Sequence, residues 1–232
     1  MTSSVIDSAK QAWASLAGVA GIDGTQVMVD ATSPLCPRGW IGILSLGDGV
    51  LAAVPRDDLR EMLVEALDGL AAAEATDPAV VLERLPPVAE VMGPAVLFYA
   101  DESRGLELPA DVREVERAEL DALFGSVPQD DLDESGLTEI SSPVFGARTA
   151  DGDLAAACAY RHWPNGVAHL CVLTSGAHRR QGHGRAVATA AIRRAHEERL
   201  LPQWRARPPA SRALARSLGL TEGGAQLNLR PG

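Results

Sequence analysis

The sequence predicts an α/β protein built on a mixed sheet, with two domains in succession. Three observations carry this. Short apolar or alternating runs of strand length recur between longer stretches whose apolar residues fall at helical spacing. Glycine, proline and aspartate punctuate these runs where turns and helix ends belong. Hydrophobic residues make up 46% and charged residues 22% of the 232, the composition of a globular protein long enough for one or two cores.

The elements follow in order. Residues 4–17 put Val5, Ala9, Ala12, Trp13 and Leu16 on one helical face, with Gly18 as the stop. Gln26–Ala31 alternates as a strand. Trp40–Leu46 and Val50–Val54 flank Gly47-Asp48-Gly49, a hairpin signal. Asp57 is expected to cap a helix running to about Leu70, with Leu59, Met62, Leu63, Ala66 and Leu67 inward. Asp77-Pro78 opens a short helix, since proline suits the first helical position, and Pro86-Pro87 closes it. Ala95–Ala100 is an apolar strand. The polar stretch 101–110 holds Gly105 and Pro109, so the domain boundary is set there: an N-terminal α/β domain over 1–108 and a second domain over 109–232.

In the second domain Val112–Val115 is a short strand and Ala118–Gly125 a helix. Val127–Ser142 is acidic and rich in loop formers. Val144–Arg148 and Leu154–Tyr160 are strands joined at Asp151-Gly152-Asp153, and Trp163-Pro164-Asn165-Gly166 is a turn. Val167–Thr174 is a strand. A loop with Gly176 leads to Gly182-His183-Gly184, which opens a helix to about Leu200. Pro202–Ala206 is a strand, Ser211–Leu218 a helix stopped by Gly219, and Gln226–Leu229 a last strand.

Composition excludes several function classes. The net charge of −10 argues against nucleic acid as a partner. No apolar run reaches the ~18 residues of a membrane span. No secretory signal pattern is visible at the N-terminus, and Cys36, Cys158 and Cys171 lack metal-ligand spacing. They read as reduced thiols of a cytoplasmic protein, with Cys171 in an apolar role. The charge is uneven: from His178 to Gly232 there are 11 arginines and 3 acids, a local +8 that leaves −18 for the rest. A basic segment in an acidic chain suits a small polyanion, or simply pairs with the acids of the first half.

The chemistry centres on Val167–Thr174, the loop after it, and the helix behind. Glycines 182 and 184 let backbone N–H groups approach a ligand at a helix N-terminus, where donors lack partners and the dipole is positive. That suits a pyrophosphate, with Arg179, Arg180 and Arg185 adding charge, but taken alone the glycine pair also reads as a plain helix start with no ligand. It is not a P-loop, because no Gly-Lys-Ser/Thr follows. It is a poor dinucleotide fingerprint, because Val187 stands where the third glycine belongs and no acid stands about 20 residues on.

Arg179-Arg180-Gln181-Gly182-His183-Gly184 matches the R-x-x-G-x-G loop of the GNAT acetyltransferases. The element order over 112–229 and the segment Arg207–Leu220, ending Leu218-Gly219-Leu220, are also similar to theirs. The resemblance implies a GNAT fold in the C-terminal half. It implies acetyl-CoA as co-substrate, its pantetheine lying between Val167–Thr174 and Pro202–Ala206. Backbone N–H groups near Val172, Leu173 and Thr174 would hold pantetheine and polarise the thioester carbonyl, as an oxyanion hole does. Arg179, Arg180, Gln181, Gly182, His183, Gly184 and Arg185 would hold the pyrophosphate, with Ser211 close to CoA. An amine then attacks directly, and a base takes its proton.

The sequence departs from this pattern at one catalytic place. Many family members use a tyrosine as general acid, and its position here is Ala215. The two tyrosines, Tyr99 and Tyr160, lie elsewhere in the sequence. Candidates for the base are His169 in the central strand and Glu134 in the acidic segment, with Glu139, His162 and Trp163 as further pocket residues. Each also has a structural reading: a packed histidine, a solvated acidic loop, a strand end.

Residues 40–100 partly repeat the strand-strand-helix-strand order of 154–206, without the two glycines. The N-terminal domain is therefore expected to be a degenerate GNAT-like copy. It, or a second subunit in a homodimer, would complete the sheet. Two functions stand: an N-acetyltransferase acting on a small-molecule or peptide amine, or an inactive GNAT-like module that binds acyl-CoA or scaffolds a partner. No metal and no membrane are expected in either.

Overall fold

A computed structural model describes residues 4–101 and 110–232. The boundary expected between residues 108 and 109 lies outside the described residues. In chain order the elements are α1 (Val5–Ala17), β1 (Thr25–Val29), β2 (Ile41–Leu46), β3 (Gly49–Val54), α2 (Arg60–Leu67), α3 (Pro78–Leu82), β4 (Val88–Tyr99), β5 (Val112–Val115), α4 (Leu120–Phe124), α5 (Gln129–Ser135), β6 (Val144–Arg148), β7 (Leu154–Trp163), β8 (Val167–Thr174), α6 (His183–Glu197), β9 (Leu201–Ala206), α7 (Pro209–Ser217) and β10 (Thr221–Pro231). The protein is thus a mixed α/β fold, as the patterning predicts.

The chain forms two compact units. The first holds Met1–Tyr99, Arg205–Arg212 and Thr221–Gly232; the second holds Ala100–Trp204 and Ala213–Leu220. In the first, the strand order is β1-β3-β2-β10-β4, with β1 parallel to β3 and the other neighbours antiparallel. Strands β2 and β3 are buried along their length, and their Ile41, Ile43, Val50, Ala52 and Val54 pack with Leu227 and Leu229 against Leu63, Ala66 and Leu67 of α2. Helix α1 starts at a reciprocal capping box between Ser4 and Asp7 and stops at Gly18 in the left-handed region.

The expected degenerate copy is not carried in the strand order. In the second unit the strand after the long helix, β9, lies parallel beside β8. In the first unit the strand after the helices, β4, pairs with β10, and the place beside β3 is taken by β1. Element order alone could not distinguish these, because it does not say which edge a returning strand joins. Three element predictions also change. Asp57 and Asp58 lie in a 3-10 turn, no side chain caps α2, and the helix stops at Leu67. Strand β4 begins at Val88, ahead of the expected Ala95, with Gly93-Pro94 inside it masking the pattern. Helix α5 forms within the stretch read as acidic and rich in loop formers, closed by Gly136 in the left-handed region.

The second unit orders β9-β8-β7-β6-β5, antiparallel except for the β8–β9 pair. On one face Ala157, Ala159, Cys171 and Leu173 pack with Leu120 and Leu123 of α4 and Leu137. Alternation turns Cys158, Tyr160, Val172 and Thr174 to the other face. There α6 packs, burying Val187, Ala188, Ala191, Ile192 and Ala195. Its last turn carries Arg194 and His196, which complement the dipole.

Candidate functional site

Strand β8 has one closed edge and one partly open edge. Its ladder to β7 runs its whole length, from Val167↔Trp163 to Thr174↔Ala156. Its parallel ladder to β9 covers only Val167, Ala168 and His169, opposite Leu201, Pro202 and Gln203. The Ser175 N–H donates to the Ala155 carbonyl at 2.9 Å, which fixes the phase of the β7 ladder. Antiparallel alternation then sends the N–H groups of Leu173 and Cys171 to β7, and those of Leu170, Val172 and Thr174 to the opposite edge. Of the three strand residues singled out from sequence, Val172 and Thr174 therefore present backbone donors where β9 has parted from β8. Leu173 instead buries its side chain against α4.

The strand leads into the glycine loop. A short 3-10 turn, Gly176–His178, is followed by Arg179 and by Arg180 at φ 67°. Gly182 is the N-cap of α6 at φ 91°, a region open to glycine at little cost. No side chain caps this N-terminus and no acid lies in its first turn, so its donors and dipole are left to face an anion. Gly184 is a close-approach glycine: a Cβ there would stand 2.9 Å from the Thr174 Oγ1. The missing side chain lets α6 start directly against the end of β8. Arg180, Gln181 and Arg185 are exposed around the loop. Gln181 donates its side-chain amide to the Ala177 carbonyl at 3.3 Å.

Two residues of the loop region carried no signal in the sequence. Asp131 on α5 accepts from the Arg179 Nη2 at 2.8 Å, across 48 residues of sequence. His178 lies edge-on to His183 with ring centroids 6.3 Å apart, and its Nδ1 is buried without a hydrogen-bond partner among the described residues. A pairing so far apart in sequence leaves no local pattern.

The catalytic candidates fall into separate places. His169 stacks on Trp163, centroids 4.5 Å apart and 14° between planes, on the face shared with Arg161. Glu139 pairs with Arg161 on that face. Glu134 is half-buried on α5. His162 lies on the opposite face: its Nδ1 meets the Ser141 Oγ at 2.7 Å and its Nε2 is 3.4 Å from Glu198. Ser211 is half-buried on α7, in the stretch that belongs to the first unit.

Neither tyrosine stands ready as a general acid. The Tyr160 hydroxyl donates to Glu198 at 2.7 Å, and burial, then that carboxylate, pushes its phenol upward. The Tyr99 hydroxyl accepts from the Trp13 Nε1 at 2.8 Å. Ala215 is fully buried on α7. Burial pushes the Cys171 thiol up to about 12, in keeping with an apolar role. Among the described residues no group of three or more His, Cys, Asp or Glu could hold a metal ion, and no helix is long and apolar enough to cross a membrane.

With this geometry in hand, residues 146–225 match the family model of the GNAT acetyltransferases. The fold is similar to that of a GNAT-family structure from Novosphingobium aromaticivorans, with a TM-score of 0.51 and 20% identity over 62% of this chain. The match spans 65% of that protein's length. It is also similar to a GNAT-family acetyltransferase from Colwellia psychrerythraea, with a TM-score of 0.50 and 14% identity over 76% of this chain and 74% of that one. At such identities the likeness concerns the fold. No curated protein matches the chain significantly.

Proposed function

We propose, from the match of residues 146–225 to the GNAT acetyltransferase family model, that the chain is an acyl-CoA-dependent N-acetyltransferase acting on a primary amine. The observation that supports this best is the half-open edge of β8 running into the uncapped N-terminus of α6. Pantetheine needs a row of backbone donors and a pyrophosphate needs an anion site, and here the two are consecutive.

In this reading the Val172 and Thr174 N–H groups hold the pantetheine arm and the thioester carbonyl, which gains negative charge as the amine attacks. Gly182, His183, Gly184 and Arg185 offer backbone donors to the pyrophosphate, with Arg179, Arg180 and Gln181 beside them and Ser211 along the CoA. His169 is the proposed base, since stacking on Trp163 orients its imidazole, with Glu134 as the other candidate. A lysine-like amine of pKa ~10.4 must lose a proton before it attacks. The acids Asp130, Asp131, Asp133 and Glu134 favour a cationic acceptor, a small molecule or a peptide end. CoA thiolate leaves without a side-chain acid. The division of labour is proposed to follow the sequence, with 109–232 binding CoA.

One observation favours a second reading. Ala215 stands at the tyrosine position and both tyrosine hydroxyls are engaged elsewhere, as in a module that binds acyl-CoA without turnover. A thermal melt and a CoA-release assay separate the two. Acetyl-CoA at about 100 times its dissociation constant should stabilise the wild type by roughly 2.7 kcal/mol and leave Gly182→Trp unmoved. Amine-dependent CoA release across a broad panel supports the enzyme. A melting shift without release supports the module, and no shift at millimolar acetyl-CoA removes both.

A further inference from the structure

Among the described residues, Arg179 is the one arginine of the loop that is held by an acid. Its Nη2 lies 2.8 Å from the Asp131 Oδ2, and its Nε points back to the Thr174 carbonyl at 3.5 Å. Arg180 and Arg185 form no ion pair among the described residues. Asp131 comes from the first turn of α5, a helix that packs on β8. Both side chains are half-exposed, 50% for Arg179 and 40% for Asp131. The pair is thus weak enough to exchange partners and near enough to the loop for its charge to count.

The electrostatics work against the ligand. A pyrophosphate approaching the α6 N-terminus gains from the helix donors and from Arg180 and Arg185. It meets Arg179 already neutralised, and the Asp131 carboxylate repels it. A guanidinium has five donors in a fixed fork, so it can turn from one anion to another with little loss. We propose that Asp131 is a positioning residue: it is the counter-anion that Arg179 exchanges for the pyrophosphate when CoA loads. The proposal rests on the reading of this loop as the CoA site. Its consequence is a specificity setting, because the exchange responds only to the nucleotide end of CoA and not to the acyl-pantetheine arm.

The test measures binding of acetyl-CoA and of S-acetylpantetheine, which lacks the pyrophosphate, to wild type, Asp131→Asn, Arg179→Gln and the double variant. Asp131→Asn keeps the size of the side chain and removes its charge. It should tighten acetyl-CoA roughly two- to fivefold, the range an exposed ion pair commands. S-acetylpantetheine affinity should not change. Arg179→Gln should weaken acetyl-CoA, and adding Asp131→Asn to it should give a smaller gain than in the wild-type background. If the wild type binds acetyl-CoA and Asp131→Asn weakens it, leaves it unchanged, or shifts both ligands alike, Asp131 is only a brace and the proposal fails alone. If the wild type binds neither ligand, the CoA reading fails and takes this proposal with it.

Discussion

At the residue scale, the glycines and the cysteines give the firmest expectations. Gly184 admits no Cβ without moving Thr174. Gly184→Ala should therefore cost about 1–3 kcal/mol, as overpacking does, and weaken acetyl-CoA as α6 shifts from β8; chemical denaturation and a binding titration check both. The thiols give a pH dependence. Burial, then Asp30, pushes Cys36 up to about 11, and burial pushes Cys171 up to about 12, from a usual value of 9.0. The folded state thus holds these protons more tightly than the unfolded state. The stabilisation is full below the unfolded value and is lost as pH rises through it toward the folded values. Urea midpoints should fall between pH 9 and 12, and Cys171→Ala should flatten that fall. Thiol reagents at pH 8 should label the native protein slowly at all three cysteines.

At the scale of elements, strand β8 and the start of α6 were legible because a short, nearly continuous apolar run and a glycine pair are local signals. Strand β8 was read from sequence at its observed bounds, Val167–Thr174. Helix α5 was not legible: Gln129–Ser135 has three aspartates and no apolar stripe, and what holds it lies on β8. The capping box of α1 offers a test of purely local stability. Ser4→Ala removes the acceptor for the Asp7 N–H and should lower stability by about 1 kcal/mol without touching ligand binding. A larger loss, or a change in acetyl-CoA affinity, would show that α1 does more than cover its sheet.

At the scale of the whole molecule, charge is the property that the sequence states most directly. The chain carries −10 in total and +8 from His178 onward. If the loop arginines bind a pyrophosphate, the melting shift produced by acetyl-CoA should shrink as salt rises from about 0.05 to 0.5 M, while the unliganded melting temperature moves much less. Equal shifts at both salt levels would mean that backbone donors alone hold the phosphate. The repeat suggested by element order belongs to this scale too. Within it, strand β4 returns to β10 and not to β3, a choice made by long-range pairing.

The sequence by itself determined the α/β class, most element positions, the glycine loop with its arginines, and the family likeness that residues 146–225 bear out. These are legible because hydrophobic period, turn chemistry and a loop motif are written in neighbouring residues. Tertiary structure alone decided that β8 parts from β9 after His169, that Val172 and Thr174 face the opening while Leu173 does not, and that Asp131 finds Arg179. It also decided that His162 and His169 lie on opposite faces of the sheet. Each of these depends on which strand edge is left unpaired and on which residues distant in the chain become neighbours, and no local pattern encodes either.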